Sequence, residues 1–301
     1  MGSPQIALPA PVLARGTARQ FAIPSCSLTA DDLRKLYGIL QRRANEASAY
    51  EVGTLIQQVG QTEEQFTQVK ENARMLLKLA ATVYSSAGDW IGNTTGEALS
   101  DSNLPDSITR IVYDSAFLFR AQLKVEPQNS LTVVLDFSRT RILDLTNLSM
   151  VPDPNNSSVR ISGVNDAWVK ATHDDLLLFF RERKTPRGWL YFQFTYDLLV
   201  LFVGLPAALA AVYRIGRWTK PKFDLPLSVA APLYVMLFLQ CMLVFRVVFN
   251  YAKWAFPKVE GPSRRTWPAF HKVVLGIAGA SIISLIVETI VRILAAHLFG
   301  T

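Results

Sequence analysis

The chain of 301 residues is half apolar and carries 31 Lys and Arg against 24 Asp and Glu, a net charge of +7. All of that excess belongs to residues 188–301, which hold 11 basic and 4 acidic residues, because residues 1–187 hold 20 of each. Bulk charge therefore gives little support to a nucleic-acid-binding class. Cys26 and Cys241 are too differently placed to form an obvious disulfide, which fits a reducing compartment.

The first 27 residues are predicted to be a flexible arm, because three prolines and an arginine interrupt the apolar core that a signal peptide needs. Helical signals begin at Thr29, which can act as an N-cap with Asp31 and Asp32 in the first turn. An amphipathic helix follows, and a second helical stretch is predicted from Thr62 onward.

A strand-rich pattern follows the two helices. Residues 108–125 are rich in β-branched and aromatic side chains, and a polar turn at 126–130 separates them from the apolar run 131–137. These two runs predict a β-hairpin, and the alternation in residues 158–162 predicts a further strand. The fold class is therefore α+β, with helices first and a small antiparallel sheet second.

The C-terminal third is predicted to contain three membrane spans, at about 191–213, 225–249 and 273–299. A helix from Asn165 leads to the first span, where an aromatic cluster beginning at Trp189 is typical of a membrane interface. The sequence thus divides into a flexible arm (1–27), an α+β domain (28–164), a connecting helix (165–190) and a three-span transmembrane region (191–301).

The basic residues that flank the spans predict the orientation. Nine Lys and Arg lie before the first span and in the second loop, and four lie in the first loop. Because cytoplasmic loops carry the excess of positive charge, we expect a multi-pass protein of the cell inner membrane with its N-terminal domain in the cytoplasm.

One face of the third span combines small residues with charges. Every fourth residue from Gly276 falls in one stripe on this face: Gly276, Ala280, Ser284, Glu288, Arg292 and Ala296. Small residues at this spacing favour close helix packing, so Gly276 and Ala280 are predicted packing positions. Glu288 and Arg292 have the spacing of an intrahelical ion pair. The stripe is either a packing seam or the lining of a polar pathway.

Two further charges lie inside the predicted spans. Asp197 and Arg246 are both near the predicted cytoplasmic ends of their helices, so they could pair with each other. Arg246 could instead extend its side chain to the interface. Together with Ser284, Glu288 and Arg292, these residues are the candidates for a pore or a polar seam.

The sequence lacks the motifs of the common catalytic and cofactor sites. It has no phosphate-binding P-loop, no dinucleotide-binding glycine fingerprint and no Cys/His cluster with zinc spacing, and its three histidines are scattered. We therefore predict no catalytic residue, no metal site and no cofactor, and a protein that is not an enzyme.

The layout of an α+β domain joined to three membrane helices resembles the membrane effectors of bacterial antiphage systems, including the channel subunit of Hailong-type defence. The resemblance extends over the whole chain but includes no motif, so it transfers no residue roles. It implies a homo-oligomer in the lipid bilayer whose soluble domains sense a nucleotide or oligonucleotide ligand and control a pore. The alternative is a membrane-anchored scaffold that recruits a partner protein without conducting ions.

Overall fold

The computed structural model describes residues 16–86, 88, 90–93, 105, 107–142, 155–219, 226–262 and 268–299. The chain forms two compact units. The first, which we call the sheet unit, contains the helices and strands up to Pro186 together with residues 258–262. The second, the membrane unit, contains the three long apolar helices. The predicted α+β region followed by three helices is thus confirmed.

The sheet unit contains eight strands and four helices among the described residues. Its elements are β1 (Thr17–Ala22), β2 (Cys26–Ser27), α1 (Ala30–Gly53), α2 (Glu63–Leu76), β3 (Ala80–Ser85), β4 (Trp90–Asn93), β5 (Ile108–Asp114), α3 (Phe117–Leu123), β6 (Ser130–Asp136), β7 (Ser158–Gly163), α4 (Asp166–Glu182) and β8 (Val259–Glu260).

Six of the strands form one antiparallel sheet in the order β1-β7-β6-β5-β3-β4. Alternate residues of its strands are buried, as in Leu131, Val133 and Leu135 of β6, and they share a core with the apolar faces of α1 and α4. The opposite face of the sheet carries partly exposed side chains, including Arg110 and Arg160. The sheet is therefore covered by helices on one face.

Local capping sets the beginnings of the first two helices. Thr29 and Asp32 exchange side-chain to backbone hydrogen bonds at the start of α1, and Thr62 and Gln65 do the same at the start of α2. Such a capping box satisfies two backbone donors that have no partner in the helix. The helix starts predicted at Thr29 and Thr62 are therefore found.

Two segments differ from the sequence prediction. Residues 17–22, predicted as part of a flexible arm, form β1 by pairing with β7, while residues 1–15 of that arm lie outside the described residues. Residues 117–123, predicted as strand, form the helix α3, whose Phe119 packs with Leu76 and Leu77. The hairpin partners β5 and β6 do pair, but α3 lies between them in sequence.

The membrane unit contains three candidate membrane spans, Phe194–Thr219, Leu227–Ala255 and Phe270–Arg292. The first is continuous through α5 (Gln193–Leu199), a π-helical turn (Val200–Gly204) and α6 (Leu205–Thr219). The π turn ends two residues before Pro206, whose missing N–H frees a carbonyl one turn earlier. The other spans lie in α7 (Leu227–Ala255) and α8 (Pro268–Phe299). The protein is therefore a membrane protein.

Glycines allow α6 and its preceding turn to lie close to α7. A Cβ at Gly204 would be 3.1 Å from the ring of Phe245, and one at Gly216 would be 3.2 Å from the Tyr234 hydroxyl. The absence of side chains at these two positions therefore lets aromatic rings of α7 approach the backbone of the first span.

Candidate functional site

Three charged side chains meet between α6 and α8. The Glu288 carboxylate accepts hydrogen bonds from Arg292 Nε at 3.0 Å and Nη2 at 2.8 Å, and it also forms an ion pair with Arg214. We call Arg214, Glu288 and Arg292 the charge cluster. The predicted pair within α8 is therefore present, and a second arginine from another span joins it.

Sequence reasoning missed Arg214 because it placed this residue in the first loop. In the structure α6 continues to Thr219, so Arg214 lies within the first candidate span. It is five residues from the helix end, which corresponds to about 8 Å of rise, while Glu288 is eleven residues, or about 16 Å, from the end of α8 at Phe299. The long arginine side chain spans part of this difference in depth.

The charge cluster is only partly covered by the chain itself. The side chains of Glu288 and Arg292 are 44% and 57% exposed, and that of Arg214 is 32% exposed. Ionised groups at membrane depth are costly in contact with hydrocarbon, and in membrane proteins they usually face a bundle interior or a water-filled cavity. The cluster therefore requires cover from water or from another protein surface.

The small residues of the stripe that begins at Gly276, which we call the α8 stripe, also face away from the rest of the chain. Gly276, Ala280 and Ser284 are exposed, and no atom lies within 4 Å of a Cβ built at Gly276. The side of α8 toward its own neighbours includes Thr289, which is 4% exposed. The predicted packing of Gly276 and Ala280 against a helix backbone would thus have to involve a helix outside this chain.

A second set of polar residues is buried along α7. Arg246, Asn250 and Lys253 are 6%, 1% and 7% exposed, and their spacing places them on one helix face. The Asn250 amide donates to the carbonyl of Ile142 at 3.2 Å. The sequence analysis identified Arg246 but not Asn250. The available signal was that Asn250 is a polar residue four positions after Arg246 in the same apolar helix. The pairing of Asp197, in α5, with Arg246 stays a prediction.

Within the sheet unit, one short segment binds the two stretches of chain that adjoin the spans. Residues 25–28 lie between residues 183–185, which precede the first span, and residues 258–260, which connect the second span to the third. We call these three segments the junction. Cys26 N donates to the carbonyl of Lys258 at 3.0 Å, and Thr185 N donates to that of Ser25 at 2.8 Å. Sequence reasoning did not find the junction, because two-residue strands leave no periodic pattern.

Charges and burial reinforce the junction. Arg183 Nε donates to the Asp32 carboxylate at 2.7 Å, which links the end of α4 to the start of α1. Burial raises the pKa of Asp32, but hydrogen bonds from Thr29 and Arg183 have the larger combined effect and lower it. Burial raises the pKa of the Cys26 thiol to about 12. Cys26 is therefore a protonated, enclosed residue rather than a reactive one.

The described residues contain no group of three or more His, Cys, Asp or Glu arranged to hold a metal ion. His271 contacts the Tyr251 hydroxyl at 2.7 Å within an aromatic cluster, and His173 contacts the carboxylate of Asp174. Neither contact provides a nucleophile with an orienting acid. Among the described residues, the charge cluster is therefore the strongest candidate for a functional site.

Comparison of the chain with protein-family models, with curated proteins and with solved structures gave no match.

Proposed function

We propose that this protein is an oligomeric membrane effector in which a sensing domain controls a transmembrane pore. The observation that carries the proposal is the charge cluster, whose Glu288 and Arg292 side chains are partly exposed on a membrane helix. Three helices enclose no pore by themselves, so conduction requires several copies. Association of several copies through Gly276 and Ala280 would supply a helix backbone against these small residues, and it would leave Ser284, Glu288 and Arg292 facing water in a shared pathway.

The junction supports control of the spans by the sheet unit. Residues 25–28 bind both the chain leading into the first span and the connection between the second and third spans. A ligand that moved β2 or the end of α4 would therefore act on the ends of all three spans through the backbone. A ligand shifts such an equilibrium only by its differential affinity for the two states.

The sheet face opposite α1 and α4, where the structure describes exposed arginines, supports an anionic ligand, such as a nucleotide or an oligonucleotide, over a partner protein. Arg110 and Arg160 are exposed there. Arg160 pairs with Thr132 of β6 and Arg110 pairs with Asp136. Because these two partners are four residues apart on one strand, the two arginines lie on the same face of the sheet. Arg160→Gln should weaken the thermal stabilisation that a nucleotide panel confers on the full chain. If no nucleotide stabilises the wild type, the ligand is of another class.

For location, we propose the inner membrane with the sheet unit in the cytoplasm. The support is the nine-to-four distribution of basic residues, and the junction agrees with it, because residues 258–262 return to the sheet unit after two spans. A cysteine at Thr301 should react with an impermeant thiol reagent in intact cells, whereas one at Gln128 should not. The opposite labelling would reverse the orientation.

Ion flux from liposomes containing the purified full chain tests the proposed function. We expect flux from the wild type, and we expect Glu288→Gln to shift selectivity toward anions, because the cluster then changes from two cations and one anion to two uncompensated cations. Glu64→Gln, at an exposed position of α2, is the matched control and should leave selectivity unchanged. Absence of flux from correctly assembled protein would favour the membrane-anchored scaffold.

A further inference from the structure

A groove between α6 and α7 lies outside the charge cluster and the junction. It has a volume of about 990 Å³, and both of its walls are membrane helices of the same unit. Its lining is mainly apolar and includes Leu227, Ala230 and Leu237, with Arg217 and Gln240 among its few polar side chains. The groove is open on one side, which places its contents in contact with the surrounding bilayer.

The length and direction of the groove match one leaflet of a membrane. It begins where α6 ends at Thr219 and α7 begins at Leu227, and it continues along α7 to Gln240. Thirteen residues of α-helix rise about 20 Å, compared with about 15 Å for half of a bilayer core. An acyl chain lying in the groove would thus extend from the interface toward the middle of the membrane.

The one charged side chain in the lining, that of Arg217, lies at the interfacial end, whereas the polar Gln240 lies at the other end. Arg217 lies at the rim of the groove, next to Trp218, which is 64% exposed, as is common for aromatic side chains at the level of lipid headgroups. The sequence continues with Lys220 and Lys222, against a single acid in this loop, Asp224. Arg217 therefore gives this end of the groove a positive charge that is complementary to an anionic headgroup, and the sequence of the following loop has a net positive charge as well.

We propose that this groove binds an anionic phospholipid, with its acyl chain along α7 and its headgroup phosphate at Arg217. Basic pockets between membrane helices are known to bind anionic headgroups, and an apolar wall of this length excludes a free phosphate or a soluble nucleotide as the whole ligand. A zwitterionic phospholipid would fill the same groove without the additional attraction of a net negative charge.

Native mass spectrometry of the purified full chain tests this site, with phosphatidylglycerol and phosphatidylcholine as probes. We expect phosphatidylglycerol to bind about fivefold more tightly, since one cation near a membrane surface contributes roughly that factor. Arg217→Gln should remove the preference, and Ala230→Trp should weaken the binding of both lipids by filling the groove. Lys272→Gln, an equal charge change at the exposed start of α8, should preserve the preference.

Equal binding of the two lipids by the wild type would overturn the proposal, and so would a preference that survives Arg217→Gln. If Ala230→Trp lowers the oligomer mass while the wild type retains no lipid, a second copy of the chain occupies the groove, and the lipid site is rejected. The outcome does not depend on flux, so the lipid site and the proposed pore can fail separately.

Discussion

At the scale of single residues, Glu288 is the centre of the charge cluster. In the sequence of α8 it has one partner, Arg292, four residues away, but in the structure it also pairs with Arg214 of the first span. One carboxylate therefore pairs with two guanidinium groups, which remain charged at all accessible pH values, so the cluster has one excess positive charge. Loss of the carboxylate leaves two uncompensated cations, whereas loss of either arginine leaves one intact pair.

This difference predicts an order of stability among variants. Glu288→Gln should lower the melting temperature of the assembled protein by several degrees, and Arg292→Leu or Arg214→Leu alone should lower it less. If Glu288 paired only with Arg292 within α8, the expected order would be the opposite. The Glu288 carboxylate left by Arg292→Leu could then neutralise itself by binding a proton. Melting of the three variants in one detergent decides the order, and a larger loss from Arg292→Leu would indicate that the Arg214 pair contributes little.

At the scale of elements, the junction makes Cys26 a probe of control. Cys26 is 1% exposed and its pKa of about 12 leaves it almost wholly protonated at pH 8, whereas about a tenth of an ordinary thiol with a pKa of 9.0 is ionised. In a Cys241→Ser background we expect slow reaction with a disulfide reagent, and faster reaction when a ligand opens β2 from β8. Ser27→Cys in a chain lacking both native cysteines is the exposed control and should react at once.

The direction of the Cys26 pKa shift also predicts how the stability of the folded protein depends on pH. The folded state retains the thiol proton up to about pH 12, while the unfolded chain loses it near the ordinary thiol pKa of 9.0, so stability falls as pH rises above 9.0. Replacing Cys26 with Ala should remove this part of the alkaline destabilisation. An unchanged alkaline melting profile would mean that the thiol is exposed to water in solution.

The α8 stripe predicts where two copies meet. Ala280→Leu should lower the oligomer mass in detergent, because added bulk separates helices that pack through small residues. Ala231→Leu makes the same change at an exposed alanine of α7 and should be tolerated. If both variants keep the wild-type mass, the stripe does not pack in the oligomer.

Comparison of sequence and structure shows which signals are local. The cap at Thr29, the start of the second helix at Thr62 and the apolar length of the spans could be predicted, because their effects act within a few residues or along one helix. The pairing of β2 with β8 could not be predicted from the sequence, since two-residue strands far apart in sequence have no periodicity. Arg214 was missed because charge alone suggested that the first span ended before it. The intrahelical half of the charge cluster was therefore predictable, and the interhelical half was not.

At the scale of the whole molecule, three features of the chain together support the proposed function. The sheet unit has exposed arginines on one face, and the junction holds the segments that lead into and between the spans. The spans carry charged side chains that are partly exposed among the described residues. A scaffold would need only the first feature and a membrane anchor. The junction and the charge cluster are what favour an effector with a water-filled pathway.

The most direct test of that pathway is the water accessibility of the α8 stripe. Ser284 and Ile283 are neighbours in α8, and both are exposed in the single chain, Ile283 by 60%. Each is replaced by a single cysteine in a chain without native cysteines. The account predicts that Ser284→Cys, but not Ile283→Cys, reacts with an impermeant thiol reagent in intact liposomes. Equal protection of both positions, or preferential reaction of Ile283→Cys, would contradict it.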